Sequence, residues 1–172
     1  PEHPFPQGLD DCYAAARELF VRPKSFGFDL GRVTVIGDSA GGNLAAAVSL
    51  RARDEGEFYI PRQILIYPAT YYDHSESSPF ASVMENGSEY LLTSRRICEY
   101  IDLYKRDDED LKNPYFAPLL AKDFSDQPDT LIITAEFDPL RDEGEAYGRK
   151  LRAAGSRVTI YRMRDALHGF MR

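Results

Sequence analysis

The stretch VIGDSAGG, residues 35–42, sets one serine, Ser39, between Gly37 and Gly41 directly behind an apolar run. That run, RVTVIG from Arg32 to Gly37, is short, β-branched and almost wholly apolar, as expected of a strand covered on both faces. Downstream, AGGNLAAAVSLRARDEG (40–56) reads as a helix, with Leu44, Val48 and Ala52 in line and Gly56 available to stop it. A strand that turns sharply into a helix holds the residue at the turn in a strained conformation, with its side chain exposed at the carboxyl edge of the sheet. The residues two before and two after then crowd one another, and glycine at 37 and 41 avoids the clash. The N–H of Ala40, opening the helix, can point at a developing oxyanion. The context therefore makes Ser39 a candidate nucleophile rather than a serine in an ordinary glycine-rich turn.

The same alternation continues outward. RQILIYPA (62–69) and DTLIITAEF (129–137) repeat the buried-strand signature, and RVTIYRM (157–163) reads as a last strand. LDDCYAAARELF (9–20) puts Leu9, Tyr13, Ala16 and Phe20 on one helical face, and EGEAYGRKLRAAG (143–155) is a second helix. Strand, helix, strand, helix, strand predicts an α/β domain, a mostly parallel sheet with helices on both faces. Residues 70–113 break the pattern. TYYDHSESSPF is polar and aromatic, LLTSRRICEYIDLY is an amphipathic helix, and KRDDED is a solvated charge cluster. So long an excursion between core strands is uncommon unless it performs a task or caps a site.

A serine nucleophile needs a base, and the chain has three histidines. His3 lies among prolines ahead of the first helix, and His74 sits in the polar excursion, where a surface role is expected. His168 follows the last strand. Loops at the carboxyl ends of parallel strands converge above the sheet, so His168 is the predicted general base. The acid should come from another such loop, where Glu136, Asp138 and Asp142 compete. Glu136 belongs to the strand end, and Asp142-Glu143-Gly144-Glu145 resembles a capping box opening the next helix. Asp138, first after the strand and followed by Pro139, is the predicted acid.

Ser39, Asp138 and His168 stand in the chain order of the α/β-hydrolases. Chymotrypsin-like proteases, whose G-D-S-G-G is close to this G-D-S-A-G, run histidine, aspartate, serine and are excluded. The sequence resembles the hormone-sensitive-lipase-like branch of α/β-hydrolase esterases in three spans: PEHPFP at the start, GDSAGGNLAA at the turn, and DPLRDEGEAY followed by HGF. The resemblance covers nearly the whole of residues 1–172. It implies a carboxylic ester hydrolase acting through an acyl-enzyme on short to medium acyl esters, with Ser39, Asp138 and His168 as triad, Ala40 in the oxyanion hole and no metal or organic cofactor. It also implies that the 70–113 excursion contributes to the substrate pocket. An acyltransferase of the same fold, or a ligand-binding protein built on it, are the rival readings.

The family's H-G-G-G oxyanion motif does not occur in the chain. The sequence thus reads as the C-terminal portion of an esterase, lacking N-terminal strands and cap and expected to be weakly active alone. RVTVIG would then be an exposed sheet edge able to pair with a second copy through Thr34 and Ile36.

With 172 residues, 43% hydrophobic and 28% charged, the chain is an ordinary globular domain. A net charge of −7 argues against nucleic acid and anionic membranes as partners, and the resemblance implies a small-molecule ester as substrate. No apolar run approaches the roughly 20 residues that span a bilayer. Cys12 and Cys98 have neither metal-ligand nor disulfide spacing and read as buried thiols in a reducing, cytoplasmic compartment.

Overall fold

A computed structural model describes residues 2–27 and 29–171, so Pro1 of the opening motif and the terminal Arg172 lie outside the described residues. The elements run α1 (Gln7–Val21), α2 (Pro23–Phe26), β1 (Val35–Asp38), α3 (Ala40–Glu55), β2 (Arg62–Ile66), α4 (Ala81–Asn86), α5 (Ser94–Tyr104), β3 (Asp129–Phe137), α6 (Arg141–Ala153) and β4 (Val158–Leu167). The four strands form one sheet in sequence order, and every neighbouring pair is parallel. Parallel strands present their carboxyl ends along one edge, so the segments after β1, β3 and β4 open on the same side of the molecule.

Helix α3 is the middle layer. Its Ala45, Ala46 and Leu50 pack with Leu65 of β2 and Ile132 of β3, and Tyr147 and Leu151 of α6 join the same cluster. Its Ala47, Val48 and Ala52 turn the other way, onto Leu9, Tyr13 and Phe20 of α1. A helix covered on two sides needs no amphipathic stripe, and its alanines let the sheet and α1 approach closely. Gly56, at φ 67°, ends it as the sequence predicts. Of the predicted face of α1, Leu9, Tyr13 and Phe20 are buried and Ala16 is partly buried beside them.

The expectation of helices on both faces is met on one face only among the described residues. Leu65 and Ile132 lie beneath α3 and α6. The alternate positions point away, and there Ile36 stays 61% exposed and Tyr161 56% exposed. The period of two along each strand makes this division unavoidable once both helices choose one side. Two smaller departures concern strand limits. β1 is shorter than RVTVIG, because Leu30–Arg32 form a turn of 3-10 helix ahead of it. β4 runs on to Leu167, because an irregularity between Ala135 and Phe137 restores pairing at Phe137 and Leu167.

Strand β1 is an edge with β2 as its one partner strand among the described residues. Unpaired edges invite a strand from another molecule, the more so when apolar and uncharged. The 172 residues alone are expected to scatter light as a species larger than their 19.5 kDa, and Ile36→Lys to shift that population toward monomer. A monomeric unsubstituted chain would contradict edge pairing.

Candidate active site

Ser39 joins β1 to α3 at φ 54° and ψ −118°, a conformation that costs a non-glycine residue free energy. Main-chain bonds hold it there. Its N–H donates to the Ile66 carbonyl at 2.8 Å, and its own carbonyl accepts from Asn43 N–H at 3.0 Å and Ala69 N–H at 3.3 Å. The crowding expected around the serine is real but one-sided. A Cβ on Gly37 would lie 2.1 Å from the Gly41 carbonyl oxygen, whereas a Cβ on Gly41 would meet nothing closer than Asp38 Oδ1 at 3.9 Å. Gly41 is therefore the neighbour, not a second obligatory glycine, which corrects the sequence reading. The further obligatory glycine is Gly42, whose Cβ would sit 2.9 Å from Pro68 Cβ. Ala40 is the first residue of α3, so its N–H has no acceptor inside the helix.

His168 comes from the end of β4 and Asp138 from the end of β3, and both meet Ser39. His168 Nε2 lies 2.9 Å from Ser39 Oγ, and His168 Nδ1 lies 2.7 Å from Asp138 Oδ2. A carboxylate only accepts, so Nδ1 carries the proton and donates to Asp138, which leaves Nε2 to accept from the serine hydroxyl. Asp138 is fully buried, and its other oxygen accepts from Leu140 N–H at 2.9 Å. Tyr67, itself at φ 34°, sets its ring 4.6 Å from the His168 ring and limits where the imidazole can turn. His3 takes no part in this row.

Both competitors of Asp138 have other work. Glu136 belongs to β3 and accepts from Asp165 N–H at 2.8 Å, inside β4 and three residues before His168. The capping box is absent: α6 begins at Arg141 behind Leu140, without a side-chain cap. Asp142 instead accepts from Ser82 N–H at 2.9 Å. Glu143 is fully buried and turns to the loop after β2, accepting from Thr70 N–H at 2.6 Å and Tyr71 N–H at 3.0 Å.

Above Ser39 opens a cavity of about 710 Å³, whose walls include Leu44, Tyr71, Leu92, Ile97, Tyr100 and Tyr104. Four of those six come from α5 and the segment leading into it, within the 70–113 excursion. Thr93 caps that helix, accepting from Arg96 N–H at 3.3 Å. Three local expectations fail here. His74 is buried, not on the surface, with Nε2 2.6 Å from Glu143 Oε2. Burial disfavours the charged imidazolium, but the Glu143 carboxylate more than offsets this, and His74 holds its proton to higher pH than an ordinary histidine. In KRDDED, Asp110 is buried because it accepts from Arg106 N–H, Nε and Nη2. The cysteines are not core thiols: Cys12 is exposed and Cys98 partly so. No single residue type could have announced Glu143 or Asn43, whose partners lie between 26 and 73 residues away.

A family model for the alpha/beta hydrolase fold matches residues 1–172. The chain belongs to that family. Among its relatives are the esterase LipI of Mycobacterium tuberculosis, 39% identical over 99% of this chain and 52% of LipI, and an arylesterase of Saccharolobus solfataricus, 36% identical over 99% and 55%. A hyperthermophilic esterase from Pyrobaculum calidifontis superposes with a TM-score of 0.92 at 41% identity, over 99% of this chain and 55% of that one. These relatives bear out the resemblance to hormone-sensitive-lipase-like carboxylesterases. The chain spans about half the length of the curated relatives it matches. No helix among the described residues is long and apolar enough to cross a membrane.

The two glycines flanking Ser39 give a sharp contrast. Gly37→Ala drives a methyl into backbone and is expected to cost about 3 kcal/mol or more. Gly41→Ala, inside a helix with open space, is expected to be neutral or stabilising by up to about 1 kcal/mol. Urea midpoints of the two variants check this, and equal losses would contradict the one-sided packing.

Proposed function

We propose that this chain carries the catalytic machinery of a serine carboxylic ester hydrolase acting through an acyl-enzyme on short to medium acyl esters. The observation that carries the reading is the continuous row from Ser39 Oγ through His168 to the buried Asp138, with links of 2.9 and 2.7 Å, on the floor of a largely apolar cavity.

The chemistry follows from that row. Ser39 Oγ attacks the ester carbonyl as its proton passes to His168 Nε2. The C–O bond forms, and the carbonyl electron pair becomes an oxyanion. Asp138 holds the imidazole tautomer and stabilises the imidazolium. Ala40 N–H, at the positive end of α3, is one donor to the oxyanion. Collapse expels the alkoxide, which takes the proton from His168. Water then gives its proton to the same nitrogen, attacks the acyl-enzyme and releases the carboxylic acid with Ser39 restored. No metal or organic cofactor enters these steps. The apolar walls suit an uncharged acyl chain of modest length. Relatives named esterase, arylesterase and ethyl acetate hydrolase support the same substrate class.

In a protein of the relatives' full length that contains these residues, turnover of p-nitrophenyl butyrate is expected to fall roughly a thousandfold or more in Ser39→Ala, with the melting temperature nearly unchanged. Residual turnover within tenfold of the parent would remove Ser39 from the mechanism.

A further inference from the structure

The strap formed by residues 69–74 follows β2 and contributes Ala69, Tyr71 and His74 to the cavity wall. It belongs to no strand or helix, so bonds from other segments must hold it. Asn43 Nδ2, on α3, donates to the Ala69 carbonyl at 2.9 Å and the Phe116 carbonyl at 2.8 Å. Ala69 N–H donates to the Ser39 carbonyl, and Leu119 N–H to the Thr70 carbonyl at 2.9 Å. The remaining tie is Glu143, on α6. One carboxylate oxygen accepts the consecutive N–H groups of Thr70 and Tyr71, at 2.6 and 3.0 Å, and the other faces His74 Nε2 at 2.6 Å.

Both side chains of the Glu143–His74 pair are wholly buried. A buried ionised carboxylate is costly unless several donors meet it, and an apolar residue would fill space more cheaply. A carboxylate differs from an apolar filler in one respect: it fixes the register of the strap, since two successive amides and an imidazole must all point at it. The helix that supplies it starts three residues after Asp138, and the strap it holds carries the Ala69 N–H that anchors Ser39. Glu143 thus joins the acid side of the site to the serine side without touching either reacting group.

We propose that Glu143 is a positioning residue for ester hydrolysis: through Thr70, Tyr71 and His74 it holds the strap 69–74 as a rigid cavity wall beside Ser39, and so sets how longer acyl esters are bound. This rests on the esterase reading above. The Ser39–His168–Asp138 hydrogen bonds do not pass through Glu143, so its loss should act on binding more than on the chemical step.

The test compares Glu143→Ala, Glu143→Asp and Glu143→Gln on p-nitrophenyl acetate and p-nitrophenyl octanoate, with rates normalised to titrated active serine and melting temperatures measured alongside. For Glu143→Ala, KM for the octanoate ester is expected to rise about tenfold or more, while kcat changes less than about threefold and the acetate ester responds less. Glu143→Gln keeps an oxygen for the two amides and an NH₂ for a neutral His74, and should return KM to within about threefold of the parent. Should the alanine variant not fold, Glu143→Asp carries the same expectation, since a shorter side chain cannot reach all three donors. Folded Ala or Asp variants with parental KM for both esters would overturn the assignment, as would equal proportional losses on both esters at every Glu143 substitution. All rates are measured in a protein of the relatives' full length that contains these residues; if that protein hydrolyses neither ester, the esterase reading falls, and this assignment with it.

Discussion

The contact between Gly37 and the Gly41 backbone is the constraint on which the rest depends. The chain can leave β1 and enter α3 with one residue between them only because nothing projects from Gly37. That single-residue turn forces Ser39 to positive φ, lifts its hydroxyl above the sheet edge and aims the first N–H of α3 past it. The strain is offset by bonds to all sides: Ser39 N–H to β2, and its carbonyl from α3 and from the strap. A serine elsewhere on the sheet would be relaxed and would lack this access to solvent and helix terminus together.

Parallel pairing does the rest. β1, β3 and β4 deliver Ser39, Asp138 and His168 to one edge although 129 residues separate the first from the last. The burial of Asp138 and the Tyr67 ring beside His168 restrict the imidazole to the orientation in which both nitrogens are engaged. Proximity of this kind is what the proposed chemistry needs, because a serine hydroxyl is a weak nucleophile until a base is held against it.

Features that depend on local pattern were legible in the residues. The strand-turn-helix around Ser39, the buried face of α1 and the Gly56 stop follow from periodicity and glycine conformations. The relation of Asp138 and His168 to Ser39 followed from topology, since parallel strands leave few places for a base and an acid. What could not be read depended on distant partners. His74 looks like a surface residue in a polar segment until Glu143 arrives from α6, and Glu143 looks like part of a helix cap until Thr70 and Tyr71 are found beside it. Asp110 disappears from solvent because Arg106 wraps it. The period of two in the strands marks two faces but not which of them helices cover, hence the expectation of cover on both.

The proposed mechanism makes Ser39 the one serine with an activated hydroxyl. The direct measurement is covalent: treat the protein with a fluorophosphonate, record the intact mass, and map the adduct by peptide sequencing. One adduct per chain is expected, on the peptide containing Ser39, formed with loss of fluoride and abolished by His168→Ala. An unmodified chain, or an adduct distributed over other serines at a rate indifferent to His168, would contradict it.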